Sequence, residues 1–370
     1  MRNDFEEIRS YYDGEVPMIM DFLFKSKDFY SLLSSISPER SPTELSLEFK
    51  RIFKDVNTIS DFQIALEPLI QDMIDKTTNG FFTSGINNLV NKPSLFISNH
   101  RDIALDPLFL NLSLFSKNIE TANIAIGDNL IDGSYGEKLM KLNKSFIVHR
   151  EVKGFKEIFR IISRLSAYIN KILFMDKESV WIAQKEGRAI NGWDLTDSAV
   201  LKMLFFNVKK ELTLNEWIKE VNLTPLSISY EYDPLDEVKG SNLHSLNKIK
   251  DKEVIKSGYK QILSGILGYK GRVQLSVAPS IQDPVNSIEE LTEYLDYEII
   301  KNYKLWPTNY LAAKELGVSC KIDKEMEEEC SNENRDHFLD RFSGLEKKHL
   351  DNILQIYAAP VLNKKRKGLI

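Results

Sequence analysis

LFISNHRDIALDPLFL, residues Leu95–Leu110, passes from a short apolar run through a polar turn into an apolar helical pattern. A brief apolar run bounded by polar residues reads as a buried strand, and a longer one with helical spacing reads as a helix against the core. A strand feeding directly into a helix is the repeating step of an α/β layer. The same texture extends on both sides. Ser94–Ser98 (SLFIS), Asn123–Gly127 (NIAIG), Ser145–Val148 (SFIV), Ser179–Gln184 (SVWIAQ), Thr224–Tyr230 (TPLSISY) and Val273–Ala278 (VQLSVA) all read as buried strands. Helical patterns lie between them. In Phe155–Phe174, the residues Phe155, Ile158, Phe159, Ile162, Leu165, Tyr168, Ile169 and Ile172 share one face. The expectation is an α/β fold with a mixed, largely parallel sheet flanked by helices.

The flanks differ from this middle. Residues 1–90 read as a helical N-terminal region, with Leu45–Ile74 as one amphipathic pattern closed by the turn Thr77–Gly80 (TTNG). Residues 286–370 read as a helical C-terminal extension, with patterns over Ile288–Tyr303 and Asp336–Tyr357. Short connections and the lack of a Pro/Gly-rich break leave residues 91–285 as one α/β domain. The end, NKKRKGLI, sets Lys364–Lys367 together. It reads as a solvated, frayed terminus, or as a weak electrostatic contact with anionic lipid.

Composition bounds the function classes. The chain has 370 residues with 49 Lys+Arg against 54 Asp+Glu, a formal net charge of −5 that gives no field to draw in a nucleic acid. A hydrophobic content of 42% excludes wholesale disorder. Cys320 and Cys330 flank an acidic run and match no zinc spacing, and so few thiols fit a reducing cytoplasm. No apolar run approaches the ~18 residues of a membrane span. Met18–Phe24 (MIMDFLF), apolar yet near the terminus, reads as core packing or as a membrane-facing surface.

Ligands of open α/β sheets collect beyond the carboxyl ends of strands. His100 stands at such an end, with Asp102 or Asp106 as its candidate partner. Six residues of ideal helix turn through about 600°, so the chain must bend if His100 and Asp106 are to meet. Asp106-Pro107 equally suits a helix start, with Asp as the cap and Pro at the first helical position. Two later strands end in basic residues: SFIVHR delivers His149 and Arg150, and SVWIAQKEGR delivers Lys185, Glu186, Gly187 and Arg188. Cations around a glycine turn suit a phosphate or carboxylate.

Taken in order, these blocks resemble the glycerophosphate acyltransferase superfamily, the group containing bacterial lysophosphatidic acid acyltransferases. Asn99-His100-Arg101 with Leu105-Asp106-Pro107 is similar to its first block, and Phe146–Arg150 to its second. Lys185-Glu186-Gly187-Arg188 is similar to its third, and Thr224–Ile228 to its fourth. EEIRSYYDGEVP and Gly127–Leu130 (GDNL) also look like a bacterial subgroup of phospholipid/glycerol acyltransferases. One extra residue separates His100 from Asp106, and the third block lacks its Pro and Thr.

The resemblance implies a glycerol-phosphate-acyltransferase-like fold. It also implies transfer of a fatty acyl group from an acyl thioester to the hydroxyl of a glycerophosphate or lysophospholipid, with 1-acylglycerol-3-phosphate as the expected acceptor. His100 would be the general base and Asp106 its partner. Asn99, Arg101, Arg150, Lys185, Glu186, Gly187 and Arg188 would contact the acceptor. Backbone N–H groups near His100 are candidates for the oxyanion. The donor would be acyl-CoA or acyl carrier protein. No bound cofactor, metal or nucleic acid is expected, and the setting would be cytoplasmic or peripheral on the inner membrane face. Acylation of a non-phosphate lyso-lipid, such as a lyso-amino-acid lipid, a non-catalytic lipid-binding scaffold, and a hydrolase that uses water in place of the acceptor are the alternatives.

Overall fold

A computed structural model describes residues 5–36, 40–130, 135–149, 154–188, 190–242 and 261–370. Its centre is a seven-stranded sheet in the order β1-β7-β6-β2-β5-β3-β4. The strands are β1 Phe81–Ser84, β2 Leu95–Ser98, β3 Asn123–Gly127, β4 Ser145–Val148, β5 Val180–Ala183, β6 Thr224–Tyr230 and β7 Val273–Val277. All neighbours pair in parallel except β6 with β7, where Leu226 opposes Val277 and Tyr230 opposes Val273. Strands β2 to β6 therefore present their carboxyl ends along one edge. Near β7 that edge receives the strand's beginning, Lys270–Arg272.

Side-chain alternation explains why helices cover both faces. Leu95 and Ile97 of β2 point into one core with α7 (Phe155–Asn170), α8 (Ser198–Phe205), α9 (Leu214–Glu220) and α12 (Ile288–Asn302). Phe96 between them points into the other, with Ile74 of α4 (Ile59–Thr77) and Phe109, Leu110 and Leu114 of α5 (Leu105–Ser116). Helix α11, residues 261–267, adds Ile266 to this second core.

The N-terminal region packs around Phe29, Phe53 and Phe62. It consists of α1 (Val16–Lys25), α2 (Lys27–Ile36), α3 (Pro42–Phe53) and α4, with α6 (Tyr135–Leu142) against it. The pattern at Leu45–Ile74 is two helices, not one. Thr58 breaks it: its hydroxyl accepts the Asp61 N–H (3.0 Å) and the Asp61 carboxylate accepts the Thr58 N–H (2.9 Å), a capping box that starts α4 afresh. The region is also not wholly helical, because β1 joins the sheet beside β7. Four residues, FFTS, are too few to register as alternation. In α1, Ile19, Met20 and Leu23 are buried in this cluster, while Met18 and Phe22 remain outside.

The C-terminal helices α13 (Pro307–Glu315), α14 (Lys324–Glu329), α15 (Asn332–Asp340) and α16 (Lys347–Arg366) enclose a further cluster around Phe338 and Tyr357. Gly344, at φ +89°, lies between α15 and α16, which the sequence pattern had merged. The basic tail is not frayed. It forms the last turn of α16, where cations oppose the negative helix end. Lys364 Nζ donates to the Lys301 carbonyl (2.8 Å), and the Arg366 guanidinium lies 4.0 Å from the Trp193 ring centroid. Among the described residues, no helix is long and apolar enough to cross a membrane, and no group of acids, histidines and cysteines is arranged to hold a metal ion.

Candidate active site

His100 follows directly on β2, and the chain does turn back on itself before α5. The His100 Nδ1 lies 2.8 Å from Asp106 Oδ2. The same oxygen accepts the backbone N–H groups of Arg101 (2.6 Å) and Asp102 (3.0 Å). Asp106 Oδ1 accepts the Tyr230 hydroxyl (2.7 Å). Asp106 is buried, whereas the His100 side chain keeps 12% of its surface exposed. With Nδ1 engaged, Nε2 is the ring nitrogen with no hydrogen-bond partner among the described residues. The ring stands edge-on to Trp181 of β5, centroids 5.5 Å apart. Trp181 in turn donates Nε1–H to the Ser98 hydroxyl (3.0 Å), which fixes the wall beside the imidazole.

The cap of α5 is a different residue from the one its Asp-Pro dipeptide suggests. Asp102 Oδ1 accepts the N–H groups of Ala104 (3.0 Å) and Leu105 (2.9 Å), so Asp102 does the capping. Asp106 lies inside the first turn and is left to face His100. The two acids thereby divide the roles that either could have taken. Asp102 Oδ2 is buried with no hydrogen-bond partner among the described residues. Burial, reinforced by the charge of Asp106, raises the Asp102 carboxyl above the ordinary range. Gly265 of α11 packs so closely that a Cβ there would collide with Asp102 Oδ2.

Lys270 lies at the same edge, fully buried. Its ammonium donates to Thr77 Oγ1 (2.8 Å), Ile266 O (2.9 Å) and Gly268 O (2.6 Å). Burial pushes it down to about 8, against a smaller upward pull from Asp102. An unfolded lysine titrates near ~10.4. Between the two values the unfolded chain holds more protons than the folded one, so this residue makes stability rise with pH across that window. The urea midpoint of the wild-type chain is expected to gain on that of Lys270→Met between pH 7.5 and pH 9.5, as a ~2 unit pH series would detect. Parallel curves for the two proteins would refute it.

Several residues that the family resemblance assigns to the acceptor are occupied structurally. Asn99 is fully buried: its Nδ2 donates to Ile228 O (2.9 Å) and its Oδ1 accepts the Ile228 N–H (2.8 Å). It continues the β2–β6 pairing past the end of the strand and so aims His100. Arg101 is buried in an ion pair with Asp194, donates to Gly192 O (3.3 Å) and stacks 5.4 Å from the Tyr303 ring centroid. Burial raises the Asp194 carboxyl, against the opposing pull of Arg101. The Arg101 carbonyl accepts from Lys239 Nζ (2.8 Å), itself paired with Asp233. The first two N–H groups after His100 are spent on Asp106, which removes them as oxyanion donors in this conformation.

The third block forms the turn after β5, next to β2. Gly187 has φ +72°, where glycine is favoured, and the space a Cβ would enter is open. Glu186 is exposed. Lys185 Nζ donates to Trp193 O (3.1 Å), and Arg188 donates to Gln261 Oε1. The two cations thus hold different segments of chain. Arg150 lies outside the described residues. His149, its neighbour, forms a second His–carboxylate contact at this edge, Nδ1 to Asp128 Oδ2 at 3.1 Å.

Sequence reasoning missed Tyr230, Trp181 and Asp194. Tyr230 had a usable signal, because it ends TPLSISY on the face shared by Leu226 and Ile228. Asp194 had none, since only the folded loop brings it to Arg101.

No protein-family model matches the chain, and no curated protein matches it. Among solved structures, it is similar to the crystal structure of the 1-acyl-sn-glycerophosphate (LPA) acyltransferase, PlsC, from Thermotoga maritima. The two are 13% identical, the match covers 70% of this chain and 84% of that one, and the TM-score is 0.35.

Proposed function

We propose that this chain is an acyltransferase that moves a fatty acyl group from a thioester to the hydroxyl of a glycerophosphate or lysophospholipid. One observation carries the reading: His100 is held through Nδ1 by a buried carboxylate that three further donors fix, with Nε2 left toward the strand-end edge. In the proposed step Nε2 takes the acceptor's hydroxyl proton as the oxygen attacks the thioester carbonyl. Asp106 holds the tautomer and stabilises the imidazolium. Collapse of the tetrahedral intermediate breaks the carbon–sulfur bond, and the thiolate recovers the proton from His100. The acceptor attacks directly, so no nucleophilic serine is required. The donor is acyl-CoA or acyl carrier protein.

The engagement of Lys185 and Arg188 with protein acceptors supports a second reading, in which the acceptor is a lyso-lipid without phosphate. An assay of purified chain with an acyl thioester and a panel of acceptors separates the two. Turnover with 1-acylglycerol-3-phosphate well above that with lyso-amino-acid lipids is expected. The reverse order would replace the phosphate acceptor. Thioester hydrolysis without acceptor, or lipid binding with no turnover, would overturn the transferase.

A further inference from the structure

Helix α7 changes character along its length. Its second half is buried, with Leu165, Tyr168 and Ile169 in the sheet core. Its beginning is not. Phe155 is 83% exposed, Phe159 53% and Ile158 42%. Three large apolar side chains on the first turns of one helix, exposed among the described residues, form a patch rather than scattered surface. The patch continues sideways: Phe206 meets Phe159 edge-on, centroids 5.3 Å apart, and Lys209 Nζ lies 4.6 Å above the Phe206 ring. Lys156 and Arg160 of the same turns and Lys209 and Lys210 after α8 are exposed, Arg160 being paired with Glu157, and the acids of these segments and of the neighbouring N-terminus are Glu157, Glu211 and Glu7, the last paired with Arg164. This local positive excess sits on a chain whose net charge is −5.

Position adds the second argument. Helix α7 comes after β4, and β4 runs parallel to β3, β5 and β2. Phe155 therefore stands beyond the carboxyl end of β4, at the sheet edge that carries His100. We infer that the α7 tip, Phe155, Ile158 and Phe159 with its rim of basic side chains, docks on an anionic lipid surface and turns the His100 edge toward the membrane. Apolar side chains enter the boundary between headgroups and acyl chains while Lys and Arg reach the anionic headgroups. An exposed apolar helix start flanked by basic side chains suits a yielding anionic bilayer. The inference rests on the acyltransferase reading only for the reason a membrane is approached.

The test is cosedimentation of the full chain with vesicles of phosphatidylcholine alone and of phosphatidylcholine mixed with phosphatidylglycerol, at low and high salt. Binding is expected on the mixed vesicles and is expected to fall with salt. Phe155→Ser/Phe159→Ser should weaken it by at least about tenfold. Lys156→Glu/Arg160→Glu should act in the same direction, and His100→Ala should bind as the wild type. The Phe pair is exposed, and an unchanged thermal midpoint would establish that its loss acts at the surface. Equal sedimentation of wild type and the Phe variant, or no binding to mixed vesicles, overturns the inference. Unimpaired vesicle binding with an acyl-carrier-dependent loss of turnover in the Phe variant also overturns it, in favour of a protein partner at this patch. Binding that depends on the Phe pair in a chain without turnover on any acceptor leaves the inference standing and sinks the transferase.

Discussion

Replacing His100 with alanine is expected to lower acyl transfer by about three orders of magnitude, within the range that a positioned general base contributes. The loss should fall on kcat with KM little changed, since Nε2 acts on the proton and not on the acyl chain. Asp106→Asn should approach the same loss by another route. The carboxylate accepts from Arg101 N, Asp102 N and Tyr230 Oη as well as facing the imidazole. An amide nitrogen in place of Oδ2 would meet the Arg101 and Asp102 N–H groups donor to donor, in place of Oδ1 it would need the Tyr230 hydroxyl to turn and accept, and either way the bonds to an ionised carboxylate are lost. The Asn variant should therefore also loosen the turn, which a lower thermal midpoint would register. Transfer by His100→Ala within about tenfold of wild type would falsify the general-base role.

Arg101→Met is expected to be the most destabilising single change near the site. It leaves Asp194 buried without its counter-ion, for which losses of about 3–5 kcal/mol are typical. Removing both charges together, as Arg101→Met/Asp194→Leu, should restore most of that stability, because two buried charges are replaced by apolar volume. Urea unfolding of the two singles and the double closes the cycle. If the double is as unstable as Arg101→Met alone, the pair is not what holds the loop. The Gly192 carbonyl contact and the Tyr303 stack would then carry it.

Six of the seven strands and the α/β class were legible because buried strands are continuous apolar runs, whereas β1, four residues long, was not. The His100 segment was legible too, since its polar residues interrupt an otherwise apolar stretch at a strand end. The antiparallel turn of β7 was not legible, because VQLSVA carries no mark of direction. Nor was the division of labour between the two acids. Asp106-Pro107 has the local grammar of a helix cap, and only the backbone path shows Asp102 taking that role. Arg101 illustrates a more general gap. A cation beside a candidate base reads as a ligand for substrate, yet its partner, Asp194, arrives from another loop. Charge in a sequence has a sign and a position but no address.

The brace behind the His100 turn has a consequence in time. Arg101 reaches Gly192 O, the same carbonyl that Asn363 Nδ2 approaches at 3.4 Å, and Tyr357 Oη accepts the Asp233 N–H at 2.8 Å beside the Lys239 pair. Helix α16 thus reaches the His100 turn at second hand, through the Gly192 carbonyl that Arg101 also contacts and through Asp233, the partner of Lys239. At about 5–20 residues per second, Tyr357 follows Arg101 out of the peptidyl centre by roughly 13–50 s. Throughout that interval the growing chain carries His100 and Asp106 without the α16 contacts at Gly192 and Asp233. Termination before α16 would give a protein that keeps His100, Asp106 and Tyr230 but loses the outer brace that α16 supplies at Gly192 and Asp233.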